Sequence, residues 1–121
     1  VEGTHFTAQT LPPGAMGWKI LATNISDIAA MGGTAKTAFL SLGLTRETEK
    51  AFIDAFLTGL SDLAQRTNTV LAGGDTVESR IGHTISVTLI GECPRGQAVY
   101  RRGARPGDDI WVTGYPGNAA G

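Results

Sequence analysis

The chain has 121 residues, 41% of them hydrophobic, which suffices for one domain with its own core but not for two. Ten Lys and Arg against eleven Asp and Glu leave a net charge of −1, with no basic patch for nucleic acid and no acidic tail. The single cysteine, Cys93, excludes an internal disulfide and fits a reducing cytosol, and no apolar run approaches the roughly 20 residues needed to cross a membrane.

In chain order, Val1 to Phe6, "VEGTHF", reads as the tail of a strand. Pro12, Pro13 and Gly14 then break the chain and suit a helix start, because Pro is tolerated in the first helical turn. From about Ala15 to Met31, Leu21, Ile25 and Ile28 follow helical spacing with Trp18 on their side, while Lys19, Thr23, Ser26 and Asp27 fall on another face. Gly32 and Gly33 end that helix. Ala35 to Leu44 is a mostly apolar run that reads as a buried strand. Thr45 is the expected N-cap of a second helix, with Glu47 and Glu49 set against its dipole. Phe52, Phe56, Leu60 and Leu63, joined by Ile53, Leu57 and Ala64, give this helix a broad apolar stripe to about Arg66. Thr69 to Ala72 is expected as a short strand that stops at Gly73 and Gly74. His83 to Glu92 alternates Ile85, Val87 and Leu89 against Thr84, Ser86 and Thr88, as a half-buried strand does. Ala98 to Arg101 and Ile110 to Thr113 are further short strands in this reading. The order implies an α+β fold: a mixed or antiparallel sheet of four to five strands with two helices packed on one face. Neither G-x-G-x-x-G nor G-x-x-x-x-G-K-[ST] is present, so the familiar phosphate loops are excluded.

Several residues carry chemistry in one reading and none in another. In "LAGGDTVES" the glycines at 73 and 74 let main-chain N–H groups approach a phosphate, and Asp75 offers Mg2+ a hard oxygen; a plain Gly-Gly-Asp turn is the alternative. Asp27 has no cation three or four residues on and faces the unfavourable end of its helix dipole, so it is either a metal ligand, helped by Asn24 and Ser26, or a solvated acid. His5 is either exposed at a strand edge or a donor to a substrate phosphate or hydroxyl. Arg101 and Arg102 either clamp a phosphate or form a solvated basic bend. Asp108 and Asp109 read as turn residues, His83 as strand surface, and Cys93 as structural, without a partner for nucleophilic catalysis.

The stretches "VEGTHF", "GWKILATNISDIAAMGG", "FLSLGL", "LAGGDTV", "ISVTLIGECP" and "RRGARPGDDIWVTG" occur here in order. Together they closely resemble the N-terminal domain of the thiamine-monophosphate kinase family, within the superfamily of aminoimidazole ribonucleotide synthetase, and the likeness covers nearly the whole chain. The resemblance implies ATP-dependent phosphorylation of thiamine monophosphate to thiamine diphosphate, with several Mg2+ ions, in a cytoplasmic homodimer paired through the sheet. Residue by residue it implies Asp27 and Asp75 as magnesium ligands, Gly74, Asp75 and Arg101 at ATP, and His5 at the substrate, with no general base. It also implies that residues 1–121 are the single ATP- and Mg-binding N-terminal domain of a longer two-domain chain. The absent parts would be an acidic segment upstream of "VEG" and a C-terminal domain with further metal ligands. Two positions depart from the family pattern: Ala35 stands where a Pro is common, and Asn118 where an Asp is usual. Other ATP-using members of the superfamily, of the aminoimidazole ribonucleotide synthetase, selenophosphate synthetase or hydrogenase-maturation type, are the alternative. A non-catalytic dimerisation and nucleotide-binding half is another, and the isolated piece is expected to be inactive.

Overall fold

In the computed structural model, residues 2–4, 10–112 and 114–115 are described. Two helices and three strands follow in the order α1 Pro13–Ala30, β1 Thr34–Leu44, α2 Lys50–Arg66, β2 Val70–Glu78 and β3 Thr84–Glu92. Proline near the start of α1 wastes no hydrogen bond there. At its other end Gly32 turns into the left-handed region at φ 73°, and the Gly32 and Gly33 N–H groups donate back to Ala29 and Ile28.

The two helices pack on each other more closely than most side chains allow. A Cβ at Gly17 would stand 2.0 Å from the Phe56 carbonyl oxygen, and one at Gly59 would stand 1.9 Å from that of Gly14. Glycine at these positions lets the backbones touch, and the apolar stripes then close over β1. Met16 and Leu21 from α1, Phe56, Leu60, Leu63 and Ala64 from α2, Ala38, Leu40 and Leu42 from β1, and Ile85 from β3 form one buried core. Each large side chain among them contributes about 1.5–3 kcal/mol by leaving water. The Arg66 guanidinium lies 5.0 Å over the Trp18 ring and seals one border of the core.

The sheet order is β2-β1-β3, with β1 parallel to β2 and antiparallel to β3. The expected architecture of two helices on one face of a mixed sheet therefore holds, but among the described residues the sheet has three strands where four to five were expected. Residues 98–101 and 110–112 are irregular. Their apolar residues meet no pairing strand among the described residues: the Val99 N–H donates to the Met31 carbonyl at the end of α1, and Ile110 and Trp111 stand 99% and 89% exposed. A strand without a partner leaves its backbone groups to water and gains nothing over coil. Of the "VEGTHF" strand, Glu2 makes one bridge, its N–H donating to the His83 carbonyl; Val1, His5 and Phe6 lie outside the described residues, as does Thr113.

Two boundaries also differ. Thr45 is not an N-cap: its hydroxyl bonds that of Thr48, and α2 begins five residues later, after Glu49, with no acid in its first turn. β2 does not stop at the glycines but runs through them to Glu78. None of the described helices is long and apolar enough to cross a membrane.

Candidate functional site

Gly73 and Gly74 read as a break in the sequence, yet they sit inside a paired strand. The register between β1 and β2 slips there: Ala38 pairs with Leu71 and Phe39 with Gly73, leaving Ala72 as a bulge. Gly74 then meets Leu40 so closely that a Cβ would stand 1.7 Å from the Leu40 carbonyl oxygen. The ladder itself thus demands this glycine, as close backbone approach in strands often does.

The slip sets the facing of Asp75. Leu40 and Leu42 of β1 point into the core, so Ser41 between them points away from the helices, and its ladder partners Asp75 and Ser86 share that side. Asp75 therefore stands on the bare face of the sheet, exposed, with Oδ1 accepting the Thr76 N–H at 2.8 Å. A groove of about 270 Å3 on this side is lined by Ser41, Asp75, Val77, Thr84 and Ser86, all hydroxyl, carboxyl or small apolar groups. A second opening, of about 490 Å3, lies between α2 and β2 and is bounded by Leu40, Leu57, Gly73, Gly74 and Asp75. It exists because Ala72, Gly73 and Gly74 present no large side chain for α2 to close upon. Every residue of β2 is exposed.

Asp27 is exposed on the last turns of α1 and has no ion-pair partner among the described residues. Asn24 does not reach outward to help it; its amide donates to the Ile20 carbonyl at 2.8 Å. Helix α1 packs against α2, β1 and β3 but makes no contact with β2, so Asp27 and Asp75 stand on different layers and are not direct neighbours. Among the described residues no three His, Cys, Asp or Glu side chains form a metal-binding group. Arg101 is exposed in the irregular segment after β3, and Arg102 beside it lies 5.4 Å over the Tyr100 ring. Asp108 is a turn residue as expected, its carboxylate accepting the Arg105 N–H. Cys93 is exposed and unpaired. His5 lies outside the described residues.

One residue was misread. His83 is not strand surface: its side chain is 12% exposed, its ring stacks on Phe52 at 4.7 Å between centroids, and Nε2 lies 2.9 Å from the Thr48 hydroxyl. Glu2 closes the cluster, its carboxylate accepting the His83 main-chain N–H at 2.9 Å. Nothing in the sequence joins two residues 81 positions apart, so only the folded chain reveals them.

Comparison with known proteins agrees with this architecture. Residues 1–93 match the family model of AIR synthase related protein, N-terminal domain. The thiamine-monophosphate kinase of Bacillus subtilis is 42% identical over 120 residues, which cover 99% of this chain and 37% of that protein. Among solved structures, thiamine-monophosphate kinase from Stenotrophomonas maltophilia superposes with a TM-score of 0.87 at 43% identity, over 98% of this chain and 36% of that one. A structure described as AaThiL complexed with AMPPCP and TMP gives 0.79 at 36% identity, over 86% of this chain and 32% of that one. The chain thus spans about a third of the length of the proteins it matches. From the family match and the sheet and helices just described, the chain belongs to the AIR synthase related protein family and carries its N-terminal domain.

Proposed function

We propose that this chain is the N-terminal, nucleotide- and metal-binding part of a longer cytoplasmic two-domain enzyme that phosphorylates thiamine monophosphate with ATP. The observation that carries the reading is the 42% identity to a thiamine-monophosphate kinase that runs through 99% of the chain. The likeness to a relative complexed with AMPPCP, a nucleotide analogue, and TMP supports the same pair of substrates.

In this reaction a phosphate oxygen of thiamine monophosphate attacks the γ-phosphorus of ATP in line. The new P–O bond forms as the bond to the β,γ-bridging oxygen breaks, and ADP leaves with that electron pair. The attacking oxygen is already ionised near neutral pH, so the protein supplies no general base. Its work is to align two polyanions and hold them against their mutual repulsion. His5 and Arg101 are the donors to substrate and ATP in this reading, and the main chain at Gly74 is the nucleotide contact.

Asp27 and Asp75 are the magnesium donors. Both are exposed carboxylates without a cationic partner among the described residues, and Mg2+ is commonly held by one or two such oxygens with water and phosphate completing the shell. The two acids stand on different layers, so each would bring its carboxylate to magnesium from its own element. Bound magnesium would neutralise the charge that builds between the phosphates. The bare sheet face, with exposed Phe39, Val70, Val77 and Ile90, is the contact through which two copies pair in this reading.

The test is formation of thiamine diphosphate by the full-length protein, with and without Mg2+. Magnesium-dependent product is expected, and thiamine monophosphate with ATP should raise Tm where a ribonucleotide with ATP does not. An active-site-competent preparation that makes no thiamine diphosphate overturns the proposal.

A further inference from the structure

The groove on the bare face has an order that the sequence does not show. Ser41 pairs with Asp75 along one edge of β1 and with Ser86 along the other, so one carboxylate and two hydroxyls stand in a row over β2, β1 and β3. Paired residues of neighbouring strands point to the same face, with Cβ atoms about 5 Å apart. All three residues are exposed, and neither serine hydroxyl has a hydrogen-bond partner among the described residues. The other carboxylate at the rim, that of Glu78, lies 3.7 Å from the Arg46 guanidinium, whereas Asp75 has no cationic partner among those residues.

The next row on this face is Val77, Gly43 and Thr84. A Cβ at Gly43 would lie 3.3 Å from Thr84 Cβ and 3.4 Å from Ser79 Cβ, so any side chain there would press on both and fill the floor of the groove. Glycine keeps that floor free. A carboxylate facing neutral hydroxyls is a set of hard oxygens, which suits Mg2+. That ion usually keeps several of its waters, and groups bonded to those waters orient it. From ion through water to a hydroxyl oxygen is about 5 Å, close to one strand spacing. Ser41 therefore stands one water from an ion on Asp75, and Ser86 faces the same shell from one strand further away.

We propose that Ser41 and Ser86 are positioning residues that hold the water shell of magnesium bound at Asp75, and that Gly43 keeps the space this shell occupies. This rests on the reading of Asp75 as a magnesium donor. The carboxylate supplies the attraction, and the uncharged hydroxyls set where over the sheet the ion comes to rest. The nearer serine carries more of the effect than the farther one, because fewer bonds separate it from the ion.

The experiment follows the rise of Tm with magnesium concentration in the full-length protein, without nucleotide, for Ser41→Ala, Ser41→Thr, Ser86→Ala and Asp75→Asn. Ser41→Ala is expected to raise the apparent Kd for magnesium about tenfold and Ser86→Ala about threefold, while Ser41→Thr, which keeps a hydroxyl, stays within about twofold of the unaltered protein. In a chelator the Tm of Ser41→Ala should match that of the unaltered protein. A Tm already lowered there, with the magnesium response intact, overturns the proposal, because the hydroxyl then serves packing alone. So does a loss in Ser41→Ala that appears only when ATP is present, since the hydroxyl then serves phosphate and not the ion's water. Loss of the response in Asp75→Asn with full affinity in both serine-to-alanine variants overturns this inference and leaves the metal reading of Asp75 standing. A full response in Asp75→Asn removes that reading itself, and the inference with it.

Discussion

The two faces of the β-sheet obey different rules. On the helix side, Leu40 and Leu42 are 7% exposed, Ile85 is 8% exposed, and the side chains above them interlock. On the opposite side the same strands present Phe39, Ser41, Asp75, Val77, Ser86 and Ile90 to solvent. The helix-covered face is closed over β1 and the start of β3 but stays open along β2. The bare face holds an acid and hydroxyl groups beside a groove, together with apolar residues that only a further surface could cover. Stability is concentrated on one side of the sheet, and Asp75 stands on the other. Asp27 departs from this division, since it stands in the helix layer, though on that layer's outer surface.

Substitutions on the two faces should therefore separate stability from activity. The largest effect is expected at Phe56, 1% exposed between the helices: Phe56→Ala should cost about 3–5 kcal/mol in chemical denaturation, through lost burial and the cavity left behind. Asp75→Asn should leave the denaturation midpoint nearly unchanged while lowering kcat of the full-length enzyme about 100-fold, equivalent to about 2.7 kcal/mol of transition-state stabilisation. Normal turnover in that variant would remove Asp75 from the metal assignment. Ile90→Asp, on the bare face, should cost little in a monomer but convert a dimer into single copies, a change read by sedimentation; an unaltered oligomer would show that this face is not the contact. The smallest effect belongs to the exposed Lys50–Asp54 pair on α2, where Asp54→Ala should shift stability by no more than about 0.5 kcal/mol.

The region around Asp75 shows where sequence reading loses its grip. Two consecutive glycines signal a turn because they release the backbone from steric limits, and the same absence of Cβ also lets two strands approach. Local sequence cannot distinguish these uses. The neighbour that decides between them is the Leu40 carbonyl, more than thirty positions away. A similar limit applies to His83. By alternation it is the polar residue before Thr84 and Ile85, but Phe52 and Thr48 come to it from α2 and Glu2 from the other end of the chain. The segment after Cys93 gives the opposite error: its short apolar runs read as strands and form none, because pairing needs a partner strand that they do not meet among the described residues.

Apolar patterning indicated both helices, the stripes that bury them, and strands over residues 35–44, from a continuous apolar run, and 83–92, from alternation, since the pattern of burial along an element is a local property of the chain. The motifs along the sequence were also enough to indicate the family. Strand count, the slip at Ala72, the side of the sheet on which Asp75 stands and the enclosure of His83 were decided only by tertiary structure. Each of these depends on which distant backbone lies alongside, and a hydrogen-bonding edge or a missing Cβ acquires its meaning from that neighbour.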